Sequence, residues 1–218
     1  MFVVAIDTSS PAVTAGVVSV GEQVVLAAER ASLAARGHGE LLSPSISGCL
    51  RDAGIEPEDL GAVVVGTGPG PFTGLRVGLV TAAALADVVG IPAYGVCSLD
   101  AIAESCADEL CLLVAADARR REVYWAHYER GRRCTGPAVN RPADVPLDGI
   151  TAVAGAGGEL YLDAWPDVTR RPERYPDPVA LVRCALGRIE AGAPGDPLTP
   201  LYLRRPDAVP GRPKTVSQ

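Results

Sequence analysis

Apolar runs of strand length alternate along this chain with segments of helical spacing, and glycine, proline and small polar residues separate them. Phe2 to Ile6 is a strand, Asp7 to Pro11 a polar turn and Ala12 to Val20 a second strand, so the chain opens on a hairpin. Gly21 and Glu22 turn it into a third strand, Gln23 to Ala28. From Gly37 to Ala53, Leu41, Leu42, Ile46, Cys49, Leu50 and Ala53 recur at helical spacing, and Gly54 stops the segment. Pro44 lies inside it. Proline fits a helix only within the first turn, so the pattern predicts a regular helix from Ser43, or HGELL as a separate turn ahead of it. Pro92 to Val96 reads as another strand, and Ser98 to Ala107 as a helix with Ser98 as its cap.

Between these lies the stretch on which the rest is organised, Ala62 to Val89. Ala62 to Val65 is a β-branched apolar run, and Gly66, Gly68, Pro69, Gly70 and Pro71 then break regular pairing. With Thr73 as a cap, a helix follows from Leu75 to Val89 in which Arg76 and Asp87 are the only charges, the pattern of a helix buried on two sides. A helix that opens after a glycine-rich loop can bind an anion at its unpaired amides, and Gly68, Gly70, Thr73 and Gly74 are the candidates. The same spacing fits a sharp turn with no ligand. The loop is a residue longer than a dinucleotide fingerprint, and it lacks the Walker lysine, since the chain's only lysine is Lys214.

At Cys111 the pattern restarts. CLLVAAD, ARRR and EVYWAHY repeat the opening FVVAID, TSSPA and VTAGVVS, with the same offset from Asp117 to Val123 as from Asp7 to Val13. A duplicated β-β-β-α-β-α architecture explains this and puts an aspartate at the end of the first strand of each half. Gly131 leads into a third strand near Arg133 to Ala138, Ile150 to Ala154 is a strand, and GAGG from Gly155 to Gly158 opens a short helix or turn. A final helix from about Pro178 to Glu190 follows Val179, Val182, Leu186 and Ile189.

Composition narrows the class. The 218 residues, 48% hydrophobic and 21% charged, suffice for a large core, and the formal net charge of −6 argues against a protein that coats nucleic acid with its whole surface. Local basic patches remain: Arg119 to Arg121; Arg130, Arg132 and Arg133; and the pairs Arg170–Arg171 and Arg204–Arg205. The six cysteines contain no C-x-x-C pair and read as buried free thiols. The start in a strand pattern, with no apolar run of membrane character, reads as a cytoplasmic protein with no membrane partner.

The pieces VVAIDTSS, GHGELLSPSI, VGTGPGPFTGLRVG, GVCSLDAIA, DARRREVYWAHY and PLYLRRPDA, in this order across nearly the whole chain, resemble the TsaB (YeaZ) family of partner proteins in threonylcarbamoyl-adenosine modification of tRNA. The resemblance implies an α/β fold of the actin-like ATPase (ASKHA, ribonuclease H-like) type, with two related lobes of which the second is reduced. The lobes would span 1–98 and 99–205, followed by an extended or disordered tail over 206–218. In catalytic members of that superfamily, aspartate hairpins grip phosphates and a glycine-rich turn holds adenosine. Asp7 with Thr8, Asp117, and Gly155 and Gly157 match those places.

The resemblance also implies a role. The catalytic paralogue, TsaD, is expected to hold a metal through two histidines four apart on a helix, whereas this chain has only His38 and His127, in different halves. A mononuclear site needs three or four ligands, so neither a metal centre nor a catalytic residue is assigned. Arg119 to Arg121 stand where a phosphate cradle wants glycines, although their guanidinium groups can contact an anion from outside. Pro71 replaces a serine common in relatives and removes a donor from the first loop. The chain then reads as a non-catalytic subunit that binds a TsaD-type paralogue, with a TsaE-type ATPase as a further partner and tRNA contacted weakly or indirectly. It needs no cofactor of its own; ATP or ADP with magnesium belongs to the assembled complex. The interface is expected on Leu75, Gly78, Thr81, Ala82 and Leu85 of one helix, with Ile46 and Leu50 of its neighbour. Without a partner the same apolar helix would favour a homodimer. The alternatives are a small ATP-dependent phosphotransferase of this fold and a metallopeptidase, against which the histidine count weighs.

Overall fold

A computed structural model describes residues 1–33 and 37–204. The tail expectation for 206–218, like Arg205, lies outside the described residues. The first lobe contains β1 (Phe2–Asp7), β2 (Ala12–Val20), β3 (Val24–Leu33), α1 (His38–Ala53), β4 (Leu60–Gly66), α2 (Phe72–Val89) and β5 (Ala93–Val96). After α3 (Ser98–Glu104) come β6 (Cys111–Asp117), β7 (Val123–Glu129), β8 (Arg132–Asn140), β9 (Ala152–Ala154), α4 (Ala156–Leu160), β10 (Thr169–Arg170) and α5 (Pro178–Glu190).

The strands form two five-stranded sheets, ordered β3-β2-β1-β4-β5 and β8-β7-β6-β9-β10. In each, the first three strands run antiparallel and the last two join in parallel. The duplicated topology expected from the repeat is present, and it is that of the actin-like, ribonuclease H-like fold. The second lobe is reduced as expected. Between β8 and β9, where α1 has no counterpart, there is only a 3-10 turn at Pro142–Asp144, and α4 is a five-residue stand-in for α2. The two hairpins differ by one residue: Asp7 pairs with Thr14 and Asp117 with Val123, so the first turn is the longer.

Alternation in the strands decides which residues meet which helix. One face of the first sheet, with Val4, Ile6, Val13, Ala15, Val63 and Val65, packs on Leu42, Ile46 and Cys49 of α1 and Leu79, Ala82 and Ala86 of α2. The other, with Val3, Ala5, Val18, Ala62 and Val64, packs on Ala180, Leu181, Val182, Ala185 and Ile189 of α5. The chain order therefore does not follow the lobes: α5, from the segment assigned to the second lobe, covers the first sheet. The second sheet packs on α3 on one side and on Trp165 and Val145 on the other.

Several boundaries differ from the sequence reading. The first helix runs unbroken from His38, with Pro44 inside it. Proline leaves the carbonyl four residues back without its partner, and here that residue, Glu40, is exposed along with Pro44, so water can satisfy the group. α2 starts at Phe72, capped by Pro71 and not by Thr73. Cys97, not Ser98, occupies the cap of α3, which ends at Glu104. All six cysteines are free, but only Cys49 and Cys106 are buried; Cys97, Cys111 and Cys184 are half-buried and Cys134 is exposed on β8.

By length and composition α2, with mean hydropathy 1.6, could cross a membrane. It instead buries Leu79, Ala82 and Ala86 on the sheet and Gly74, Leu75 and Gly78 against the turn and loop at the sheet's end. Because α5 completes the core of the first lobe, Leu181→Ala, at a fully buried position, should cost about 2–5 kcal/mol of unfolding free energy in a urea titration. A loss below about 1 kcal/mol would mean that the helix is not an integral layer of that lobe.

Candidate functional site

The end of β1 delivers Asp7 into the middle of the first lobe, where it is buried. One carboxylate oxygen accepts from the Ser9 amide at 2.9 Å and the Ser9 hydroxyl at 2.7 Å, and the other from the Ser98 hydroxyl at 2.6 Å. Ser98 Oγ in turn accepts from the Gly68 amide at 3.1 Å. Burial pushes the Asp7 carboxyl above its usual range, opposed by these hydrogen bonds and by His38. A Cβ on Gly66 would overlap the Asp7 carboxylate, which is why a glycine ends β4 there.

Thr8 goes into the helix. Its hydroxyl donates to the Gly74 carbonyl at 2.8 Å and accepts from the Gly78 amide at 3.1 Å, the two groups that an uninterrupted α-helix pairs with each other. Cβ atoms on Gly70, Gly74 or Gly78 would run into Ser9, the Thr8 carbonyl and the Thr8 hydroxyl respectively. The glycines of the loop thus admit the chain's own Asp7–Ser10 turn. The structure brings the turn of Asp7 and Thr8 against Gly68, Gly70 and Gly74, a juxtaposition the sequence reading did not make, with Thr73 exposed to one side. The Asp7 carboxylate, the Thr8 hydroxyl and the Gly68 amide are engaged by Ser9, Ser98 and the backbone of α2, an arrangement that leaves Asp7 and Thr8 poorly suited to hold a phosphate group or the magnesium that would accompany it.

Ser98 and Ser9 were missed as members of this site. Ser98 read as a helix cap because its long-range partner, 91 residues away, leaves no local signal.

In the second lobe, Asp117 accepts from the Arg119 amide at 2.8 Å and keeps 20% side-chain exposure. Gly155 and Gly157 pass against the backbone of Ala115, so their missing side chains serve packing of α4 on β6. A cleft of about 360 Å³ separates the lobes, lined by Ser9, Ser10, Ser98, Asp117, Ala156, Glu159 and Arg174 among others. Arg174 and Glu159 pair at 2.9 Å beside it. His38 Nε2 sits 2.9 Å from the Ser10 carbonyl, and His127 lies on β7 beside Trp125. Among the described residues no three His, Cys, Asp or Glu side chains converge on a metal-sized point.

The interface candidates separate. Leu75, Gly78, Ala82, Ile46 and Leu50 are buried within this chain's own first lobe, so they stabilise the lobe and are not free to meet another protein. Thr81 and Leu85 are half-buried. The outward side of α2 carries Arg76, Val80, Ala83, Ala84, Asp87 and Val88, with Val80 66% and Val88 84% exposed. The apolar run hid this face because Val80 and Val88 look like core.

A family model described as TsaD, tRNA N6-adenosine threonylcarbamoyltransferase, matches residues 30–156. The solved structure of YeaZ from Pseudomonas aeruginosa superposes with a TM-score of 0.78 at 26% identity, over 93% of this chain and 99% of that one. The Escherichia coli tRNA threonylcarbamoyladenosine biosynthesis protein TsaB is 33% identical over 149 residues, 62% of this chain and 63% of that protein. The chain belongs to the TsaB (YeaZ) family. An uncharacterized Mycobacterium tuberculosis protein is 53% identical over 208 residues, 95% of this chain and 94% of its own length.

For a TsaB-family chain built around a buried Asp7, pH dependence is a direct check. A carboxyl whose folded pKa is raised destabilises the fold once it must ionise, so its contribution is favourable at low pH and is lost as pH rises from the ordinary 3.8 through the folded value. Relative to Asp7→Asn, wild-type stability should fall by up to ~1.4 kcal/mol per pH unit across that window. Parallel urea-denaturation profiles of the two proteins would contradict a buried carboxyl of raised pKa.

Proposed function

We propose that this chain is a non-catalytic subunit in forming N6-threonylcarbamoyladenosine. It binds a TsaD-type paralogue and supports that enzyme's transfer of the threonylcarbamoyl group to adenosine 37 of tRNAs that read ANN codons. A TsaE-type ATPase joins the assembly, ATP or ADP with magnesium is held by the complex, tRNA reaches this subunit indirectly or weakly, and the setting is the cytoplasm.

The observation that carries this reading is the closed cradle. Asp7 and Thr8, at the positions where catalytic relatives grip phosphate, are committed to Ser9, Ser98 and the backbone of α2. A fold that uses its phosphate-binding loop as internal packing retains the scaffold and gives up the chemistry. The names of the relatives support the pathway, and the exposed valines of α2 support a protein partner. An exposed apolar helix face also suits self-association when the partner is absent.

Isothermal titration of the purified chain with ATP and magnesium, then with the cognate TsaD homologue, tests the proposal. Silence with nucleotide and a saturable heat with protein are expected. Tight nucleotide binding by the isolated chain would favour a small phosphotransferase working from Asp117 across the cleft. Val80→Asp, on the outward face of α2, should weaken binding of the TsaD homologue by at least about tenfold, as loss of a desolvated apolar contact does, and leave the melting temperature within about 2 °C of wild type. Undiminished binding would move the interface off this face.

A further inference from the structure

Arg119, Arg120 and Arg121 all have positive φ, at 62°, 55° and 61°, so three consecutive side chains that disfavour the left-handed region are held in it. The β6–β7 turn they form is pinned from several sides. Asp117 accepts from the Arg119 amide, Glu122 donates its amide to the Arg119 carbonyl at 3.0 Å, and Ala118 donates to the Glu122 carbonyl at 3.0 Å. The chain's last described segment reaches across to hold the same turn: Arg204 donates to the Ala118 carbonyl at 2.6 Å and pairs with the Glu122 carboxylate. The arginines project from a rigid base, and all three are exposed.

Beside the turn lies a recess of about 220 Å³ lined by Phe72, Tyr124, Tyr202, Arg119, Arg120 and Arg204. Phe72 and Tyr202 stack there with centroids 4.7 Å apart. Arg76 lies 3.7 Å over the Phe72 ring and donates to the Tyr202 hydroxyl at 3.0 Å. Four arginines, at 76, 119, 120 and 204, thus share one corner with the carboxylates of Asp117 and Glu122, and Arg121 follows in the same turn, on a chain whose formal net charge is −6. Tyr202 keeps 38% exposure.

We propose that this corner binds an unpaired segment of RNA, with backbone phosphates on the Arg119–Arg121 turn and a base against Tyr202. Guanidinium groups match phosphate oxygens in forked hydrogen bonds, and an aromatic ring beside a cationic track is the recurring platform for single strands. A base can enter the recess only when its face is free of a neighbour, which selects an unpaired segment over a duplex. The choice of RNA over another polyanion rests on the function proposed above; the cationic and aromatic geometry does not.

The test is fluorescence anisotropy of the full chain with a labelled oligouridine of roughly 12 nucleotides, followed across ionic strength. Wild type should bind at low salt. Replacing Arg119, Arg120 and Arg121 together by glycine suits the left-handed backbone and leaves the fold intact. That variant should lose roughly tenfold in affinity and lower the slope of log K against log salt by about 2, at ~0.7 for each phosphate contact. Replacing the three by lysine should restore most of the slope. Tyr202→Ala should weaken binding roughly five- to hundredfold with no change in slope.

Absence of binding by wild type at low salt, or a glycine variant that binds with unchanged slope, would overturn the proposal. So would polyglutamate competing as well as oligouridine at equal charge, which would assign the corner to an acidic protein. Titration of the glycine variant with the TsaD homologue separates the two proposals. Partner binding retained while RNA binding is lost supports both, and partner binding retained with RNA binding unaffected leaves only the subunit role standing.

Discussion

The first lobe is locked by one insertion, that of the Asp7–Ser10 turn into the glycine loop and opening turns of α2. A carboxylate, two serine hydroxyls and a threonine hydroxyl are buried there with partners for each. Buried polar groups left without partners would cost about 1–3 kcal/mol apiece, so the network constrains strand, loop and helix to one arrangement. Gly66, Gly70, Gly74 and Gly78 follow from it, since each faces an atom of that turn where a side chain would collide. The placement of α2, and with it the exposed face that carries Val80 and Val88, is tied to the Thr8 hydroxyl through its bonds to the Gly74 carbonyl and the Gly78 amide.

The two lobes share a topology and have used it differently. In the first, the turn after the opening strand is folded inward and its polar groups are consumed. In the second, the equivalent turn stays outside, one residue shorter, with arginines in a backbone region that costs on the order of 1 kcal/mol for each such residue. Asp117, Glu122 and Arg204 hold it there. The same strand-turn-strand unit is thus a structural wedge in one half and a presented cationic knob in the other.

The C-terminal segment joins these halves. α5 fills the open face of the first sheet, and the chain after it runs along the first lobe. Tyr94 donates to the Ala193 carbonyl at 2.6 Å, Leu201 donates to the Thr67 carbonyl at 2.8 Å, and Tyr202 stacks on Phe72 before Arg204 reaches the β6–β7 turn. The motif PLYLRRPDA, which carried part of the family resemblance, contributes the contacts of Leu201, Tyr202 and Arg204. It is a strap, and its residues are set by what it crosses.

Local pattern was enough for most elements. Alternation and turn residues gave β1, β2, β6 and β7, and helical spacing gave α5 to the residue, because those signals act between near neighbours. The duplicated aspartate hairpin announced two related lobes for the same reason. Capping was less legible: Thr73 and Ser98 satisfy the local rule for a cap, yet Pro71 and Cys97 hold those positions, and Ser98 is drawn instead to a carboxylate far away in the chain.

The sequence by itself determined the strand and helix inventory, the repeat and the family, all properties of residue order and composition. Only the tertiary structure decided which apolar residues of α2 face inward, that Asp7 and Thr8 are closed off, that α5 belongs to the first sheet, and that arginines from three separate segments share one corner. A helix apolar on every side carries no mark of which face the sheet will cover, and hydrogen bonds between residues 66 to 91 positions apart form only once the chain has folded.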